Sequence, residues 1–325
     1  MLYPLKFKPI LKDKIWGGKK LHSLLGKSIG KLPNIGESWE VSGFEGYVSK
    51  IKNGFLKGND LQEVIEVYMN DIVGDHVYEK FGNQFPLLIK FIDSNQPLSI
   101  QVHPDDEIAL KRHGSFGKTE MWYVMQAEKD SYLTIGFNSE ITPNEYVKAV
   151  EEDKLELFLA KHKVASGDVF FIPAGRVHAI GAGIVLVEIQ QTSDITYRIY
   201  DFNRRDDNGN TRELHTEYAK EVIDFKIPDS YRTEYVPIKN KSVEIEKNPY
   251  FVTSILEINE PLDRDYYEFD SLVILICIEG EGFINYHNNK KESIKKGETI
   301  LIPAELSHIK LVPQKNLKIL EVFCP

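Results

Sequence analysis

Short apolar runs punctuated by turn residues dominate the chain. They cover 85–92, 121–125, 169–172, 184–189, 272–278 and 299–302, each bounded by Gly, Pro, Asn or Asp. Runs of this length with these boundaries predict β-strands. Helical spacing is confined to a few segments. In 60–70, Leu61, Val64, Ile65 and Tyr68 recur at the 3.6-residue period. A second helix is predicted to start at Thr142, a hydroxyl N-cap followed by Pro143 at the first helical position and by Glu145, which completes a capping box. The pattern allows this helix to run past Leu155. Asn208, Gly209 and Asn210 read as a polar loop, and 227–237 as the main linker.

The strands recur as an internal repeat. Gly167, Asp168, Ile172-Pro173-Ala174 and His178 return in register as Gly297, Glu298, Ile302-Pro303-Ala304 and His308. Upstream, 122–135 matches 273–286, which sets Glu120 against Ser271. The first copy is longer between its two matched blocks by about the length of the segment after Thr142, so a helix is inserted between its strands. Two such β-units predict a mainly β protein of two jelly-roll barrels. The expected division is 1–228, with helical insertions near 60–82 and 142–161, and 229–325 as a structural second barrel.

Charge narrows the choice of partner. The 325 residues hold 40 Lys and Arg against 49 Asp and Glu, a net charge of −9, with no basic cluster along the chain. Nucleic acid and anionic membrane surfaces are poor partners for such a surface. No stretch approaches the roughly 18 apolar residues of a membrane helix, and no apolar leader opens the chain. Cys277 lies in an apolar run and Cys324 is penultimate. Two such thiols suit a reducing, cytoplasmic setting rather than a disulfide framework.

Period 2 places Ser99, Gln101 and His103 on one face of a strand that ends at Pro104. Three polar side chains facing a barrel interior are costly unless they meet solvent or converge on a ligand. Glycine, proline, glycine and histidine at 167, 173, 175 and 178 match the second signature motif of the cupin superfamily, and Glu120 opens another strand. Gln101, His103, Glu120 and His178 then form a four-ligand set whose nitrogen and oxygen donors suit zinc, and also manganese, cobalt or iron. The second copy has Ser271 where the first has Glu120 and lacks a Gln-x-His pair, so one ion per chain is expected and His308 is a remnant. A lone histidine, a glutamate at a strand start and a Gly-Pro hairpin each have ordinary structural explanations; it is their combination that favours a metal.

These residues resemble class I mannose-6-phosphate isomerase (phosphomannose isomerase) in its short bacterial form. The matching motifs are Trp16-Gly17-Gly18, Gly36-Glu37-Ser38-Trp39-Glu40, Leu98-Ser99-Ile100-Gln101-Val102-His103-Pro104, Lys118-Thr119-Glu120, the turn at 173–178, Glu188, and Ser193-Asp194-Ile195-Thr196-Tyr197-Arg198. The resemblance implies that Gln101, His103, Glu120 and His178 bind zinc, that Arg198 is catalytic, and that mannose 6-phosphate and fructose 6-phosphate interconvert through an enediolate. Longer family members have Lys-Pro-Glu where this chain has Lys118-Thr119-Glu120, and they carry a larger helical insertion, reduced here to short helices.

Within that frame Lys118 shares the face of Glu120 and is a candidate catalytic and substrate-binding residue. Ser99 and Asp194 are candidate substrate contacts. Arg198, Lys118, Arg112 and Arg205 are the cations available to a phosphorylated hexose. Glu188 interrupts an apolar strand; burial would raise its pKa and suit it to a proton shuttle, or it orients His178 or Arg198. A metal-dependent cupin oxygenase and a sugar-binding regulatory cupin use overlapping residue types and are the competing functions.

Overall fold

The computed structural model describes residues 1–30, 32–205, 209–288 and 290–325. Asn208, part of the expected polar loop, lies outside the described residues. Both expected helices form where local chemistry caps them. Leu61–Tyr68 starts at a capping box of Asp60 and Glu63 and buries Leu61, Val64 and Ile65. Pro143–Glu151 starts at Thr142, closed by Glu145. It stops before Leu155, because Asp153 takes a positive φ of 56° and a separate 3-10 turn, Leu155–Phe158, follows. Helices Asn70–Val73, Asp75–Phe81 and Thr216–Val222 are too short to show a sequence period, and Asp106–His113 is mostly polar and buries only Ala109, so it has no apolar face to show. Among the described residues no helix is long and apolar enough to cross a membrane.

Three sheets stack in layers among the described residues. The middle sheet has seven strands, in the order Arg232–Thr233, Val169–Ile172, Glu120–Ala127, Ile184–Gln191, Leu87–Ser94, Ile35–Ser42 and Ile10–Gly18. A five-stranded sheet covers one face: Tyr197–Tyr200, Ile100–Val102, His178–Ile180, Tyr132–Phe137 and Leu159–Lys163. Trp16, Ile92, Trp122, Leu133, Phe170 and Leu186 fill the space between these two. From the opposite face Phe91, Met121, Tyr123, Val187 and Ile189 join a core with Ile274, Ile276, Leu320 and Val322 of the C-terminal sheet. The middle sheet is therefore buried on both faces, which is why 184–189 reads as a nearly unbroken apolar run.

The mainly β, jelly-roll architecture expected from the repeat is present, in the form of facing sheets. The division at 228/229 is not clean, however. Leu5–Lys8 pairs with Thr299–Ile302, and Lys50–Ile51 pairs with Leu5–Lys8, so N-terminal residues complete the C-terminal sheet. Conversely, Arg232–Thr233 in the expected linker adds to the middle sheet beside Val169–Ile172.

Strand register also corrects the internal alignment. Ile172 pairs with Glu120, and its repeat counterpart Ile302 pairs with Val273. The residue equivalent to Glu120 is thus Val273, buried in an apolar core, and not Ser271. Ser271 instead accepts the Cys324 N–H and donates to the Leu272 carbonyl. By the same ladder Glu321, opposite Leu275, corresponds to Glu188, opposite Trp122. His308 does not repeat the placement of His178. Ile309 and Leu311 face the core there, so alternation turns His308 outward, 66% exposed and 3.8 Å from Asp263.

Candidate active site

Two facing strands and a turn bring the polar residues of the sandwich to one place. The Ile100–Val102 strand carries Gln101 and leads into His103; its neighbour begins at His178, which pairs directly with Gln101. Gly175, at φ 86°, makes the turn before His178 and donates its N–H to the His103 carbonyl at 2.9 Å. A Cβ at Gly175 would lie 2.8 Å from the Val222 carbonyl, so only glycine fits. Glu120 enters from the middle sheet as the first residue of its strand.

Glu120 Oε1 lies 3.4 Å from His178 Nε2, and Oε2 lies 3.7 Å from His103 Nε2. The Gln101 amide sits 3.3 Å from His178 Nε2, so Gln101 reaches the same point. His103 Nδ1 is held by the Ile195 carbonyl and His178 Nδ1 by the Arg176 carbonyl, both at 2.8 Å. These bonds fix each tautomer and leave both Nε2 lone pairs facing the carboxylate. Both Glu120 oxygens and His103 Nε2 are buried without a hydrogen-bond partner among the described residues. Orphaned acceptors are costly in an interior, and a cation among them removes the cost. His103, Glu120 and His178 offer ligand atoms within 4.8 Å of one another. The donor set fits a divalent ion.

Electrostatics agree. Burial pushes His178 down to about 4, and burial with the Lys118 charge pushes His103 well below its ordinary value, so both imidazoles are neutral ligands. Burial and the neighbouring Glu188 charge push Glu120 up to about 8, against the pull of Lys118, whose Nζ is 3.5 Å away.

Glu188 departs from expectation. Burial alone would raise its pKa, but Lys90 at 2.9 Å and the Trp122 indole N–H at 3.0 Å occupy its two oxygens. With Lys118 also near, the carboxyl is held down to about 2. A carboxylate so held is a fixed anion, which corrects the raised pKa on which the proton-shuttle expectation rested.

Arg198 pairs in register with Gln101 and so shares its face. One of its guanidinium nitrogens donates to the Glu213 carbonyl at 2.9 Å, while its buried Nε has no partner among the described residues. Burial and the nearby Arg212 and Arg204 charges lower its pKa. Arg204 and Arg212 both bind Asp201, and Arg204 also donates to the Pro97 carbonyl at 2.6 Å. Two guanidiniums thus share one carboxylate, and Arg198 lies close enough to feel all three charges. Of the alternatives, Arg112 pairs with Glu221, and Arg205 donates to the Gly209 carbonyl. Ser99 is buried, its hydroxyl 3.5 Å from Gln101 Oε1. Asp194 is exposed, next to the Ile195 whose carbonyl holds His103, and lines a cleft of about 1270 Å³ with His113, Gln191 and Tyr250. Sequence reasoning missed Lys90, Trp122, Arg204 and Arg212. Lys90 carried the one available signal, a charge inside an apolar strand like that of Glu188.

Comparison with known proteins bears on the same residues. Residues 4–149 match the family model for the catalytic domain of type I phosphomannose isomerase, and residues 241–319 match the mannose-6-phosphate isomerase cupin domain. His178, Glu188 and Arg198 fall between the two, but full-length relatives span them. The chain is 36% identical over 312 residues to mannose-6-phosphate isomerase ManA of Bacillus subtilis, covering 95% of each chain. It is 32% identical over 308 residues to mannose-6-phosphate isomerase of Streptococcus mutans, covering 93% of each. The crystal structure of the mannose 6-phosphate isomerase from Bacillus subtilis superposes with a TM-score of 0.84 at 28% identity, over 99% of both chains.

Proposed function

Because this chain belongs to the type I mannose-6-phosphate isomerase family, we propose that it interconverts mannose 6-phosphate and fructose 6-phosphate through an enediolate, at a single divalent metal centre. The observation that carries this reading is the buried His103, Glu120 and His178 cluster, with its orphaned oxygens and nitrogen, beside the strand that carries Arg198. Gln101, His103, Glu120 and His178 hold the ion; zinc is the first choice, and manganese, cobalt or iron share the donor preference. The bound ion acts as a Lewis acid where charge develops on the sugar oxygens.

The reaction moves a proton from C2 of the aldose to C1 of the ketose, and the charge on oxygen in between is the hard part. Arg198 supports a role there: its buried, unpartnered Nε–H is a donor with no acceptor in the described chain. Lys118, buried 3.5 Å from Glu120, adds a positive charge at the same point. The phosphate is met by Arg198, Arg204 and Arg212, whose charges exceed that of Asp201, with Ser99 as a hydroxyl donor. Asp194 accepts from a sugar hydroxyl at the cleft wall. Glu188 orients and neutralises rather than carrying the proton. Two free, buried cysteines support a reducing compartment, and we place the enzyme in the cytoplasm.

The test is conversion of mannose 6-phosphate to fructose 6-phosphate by metal-loaded protein, with loss on chelation. Protein that holds one ion per chain and converts neither sugar would leave a non-isomerase cupin, an oxygenase or a sugar-binding regulator, as the better reading.

A further inference from the structure

Charged residues line up across the inner face of the middle sheet, one from each successive strand. Lys14 of Ile10–Gly18 lies 3.1 Å from Glu37 of Ile35–Ser42. Glu37 accepts from the Trp39 indole at 2.7 Å, and the Trp39 ring lies 5.3 Å from Lys90 of Leu87–Ser94. Lys90 meets Glu188 of Ile184–Gln191, which accepts in turn from Trp122 of Glu120–Ala127. Sign alternates from Lys14 to Glu188. Register pairs Trp39 with Lys90, Lys90 with Glu188, and Glu188 with Trp122.

Such a row is an expensive way to stabilise a sheet. Lys90 and Glu188 are 3% and 4% exposed, and a well-packed apolar pair commonly does as well as a buried ion pair or better. The row also ends at the metal cluster. The Trp122 ring that donates to Glu188 stands edge-on to the His178 ring, at 5.3 Å and 82°. One side chain therefore touches both a proposed metal ligand and the fixed carboxylate. His178 is restrained at Nδ1 by the Arg176 carbonyl and along its ring by Trp122.

We propose that Lys90 and Trp122 are positioning residues for the isomerisation: they clamp the Glu188 carboxylate from two sides, and the Trp122 ring fixes the plane of His178. The inference rests on the isomerase reading above. Trp122 does this because an indole offers a donor at one edge and an apolar face elsewhere, a combination Phe and Leu lack. Lys90 does it because an ammonium at 2.9 Å holds the carboxylate in one orientation, whereas a neutral amide would leave it free to turn. Outer partners of this kind typically change metal affinity or activity by about 10-fold to 100-fold.

Four variants separate the clamp from plain structural support. Trp122→Phe keeps a ring against His178 and removes the donor. It is expected to lower kcat about 10-fold or more with KM within about 2-fold, to retain one metal ion, and to leave the visible bands of the Co²⁺-substituted protein in place. Trp122→Leu removes the ring as well, and is expected to shift those bands. Lys90→Met strands a buried carboxylate and is expected to lower both thermal stability and kcat. The double variant Lys90→Met with Glu188→Gln removes both charges, and is expected to regain thermal stability without regaining kcat.

Parent-like kcat in Trp122→Phe and in the double variant would reduce the row to a folding device and overturn the proposal. Unshifted Co²⁺ bands in Trp122→Leu would overturn the part concerning His178, whether or not the parent turns over sugar. A parent that binds metal but isomerises nothing would sink the isomerase reading instead, a result distinct from active parent and equally active variants.

Discussion

A guanidinium and an ammonium of equal charge are not equivalent where two oxygens must be met at once. Arg198 presents a planar fork beside Gln101, with an Nε–H that has no partner in the described chain. Arg198→Lys keeps the charge and loses the fork. If Arg198 meets charge that exists only during proton transfer, kcat falls about 100-fold while KM changes little and the metal stays bound. A raised KM with kcat preserved would assign Arg198 to the phosphate alone. Glu120 yields a different prediction, in pH. Its folded value of about 8 lies above the roughly 4.3 of an unfolded glutamate, so the metal-free fold holds an extra proton between them. A raised carboxyl contributes stability that is lost as pH rises through that window, by up to about 1.4 kcal/mol per pH unit. The two buried histidines, neutral in the fold, oppose this only below about pH 7, where the unfolded imidazoles take up protons. Chelated protein is therefore expected to melt lower at about pH 8.5 than at about pH 7, with the gain from added metal largest at the higher pH; no fall over that interval would show Glu120 to be freely ionised in the fold.

Strands decide which of the two repeats can hold metal. In the C-terminal copy Arg264 forms two bonds to Glu321, at 3.0 and 2.6 Å, and the Tyr266 hydroxyl donates to the same carboxylate at 2.7 Å. Glu321 is the register counterpart of Glu188, and each of the two acids is held by a side-chain cation; the units differ in that Val273 replaces Glu120 and His308 faces outward. One ion per chain follows. His103→Ala is expected to lose metal and turnover together, and His308→Ala to lose neither; two tightly held ions by metal analysis would contradict this. Arg264→Met, which leaves Glu321 buried and unpaired, is expected to cost about 3–5 kcal/mol in urea denaturation, with kcat of the folded fraction unchanged. A loss below about 1 kcal/mol would mean that Glu321 finds solvent.

At the scale of the molecule, the units are interleaved rather than joined end to end. Leu5 and Lys6 pair with Leu301 and Ile300, and Lys6 sits between Glu292 and Glu298 of the C-terminal unit. The core on that side mixes Leu5, Phe7, Phe91 and Val187 with Ile274, Leu301 and Leu320. Residues 229–325 made alone lack the strand Leu5–Lys8 and leave their own side of that core, including Ile274, Leu301 and Leu320, exposed. Such a fragment is expected to aggregate or stay unfolded by circular dichroism; a soluble fragment with a cooperative melt would show that the N-terminal strand is dispensable.

What the sequence determined by itself is what depends on near neighbours along the chain. Period 2 put Ser99, Gln101 and His103 on one face, the Thr142 and Glu145 spacing set a helix start that matches the structure to the residue, and the repeated Gly, Ile-Pro-Ala and His located two equivalent turns. These follow from bond geometry and from contacts three or four residues apart. Tertiary structure decided which residues meet across strands. Lys90 faces Glu188 only through a register between segments 98 residues apart, and Trp122 reaches that carboxylate from a third strand. Whether burial or a partner charge governs an acid depends on such pairings, so the expected rise of the Glu188 pKa became a fall. The same holds for the counterpart of Glu120: similarity of apolar residues aligned it with Ser271, and hydrogen bonding moved it to Val273. Runs of Val, Ile and Leu are nearly interchangeable as sequence, whereas a ladder admits one register, because a shift of one residue would turn a buried face to water.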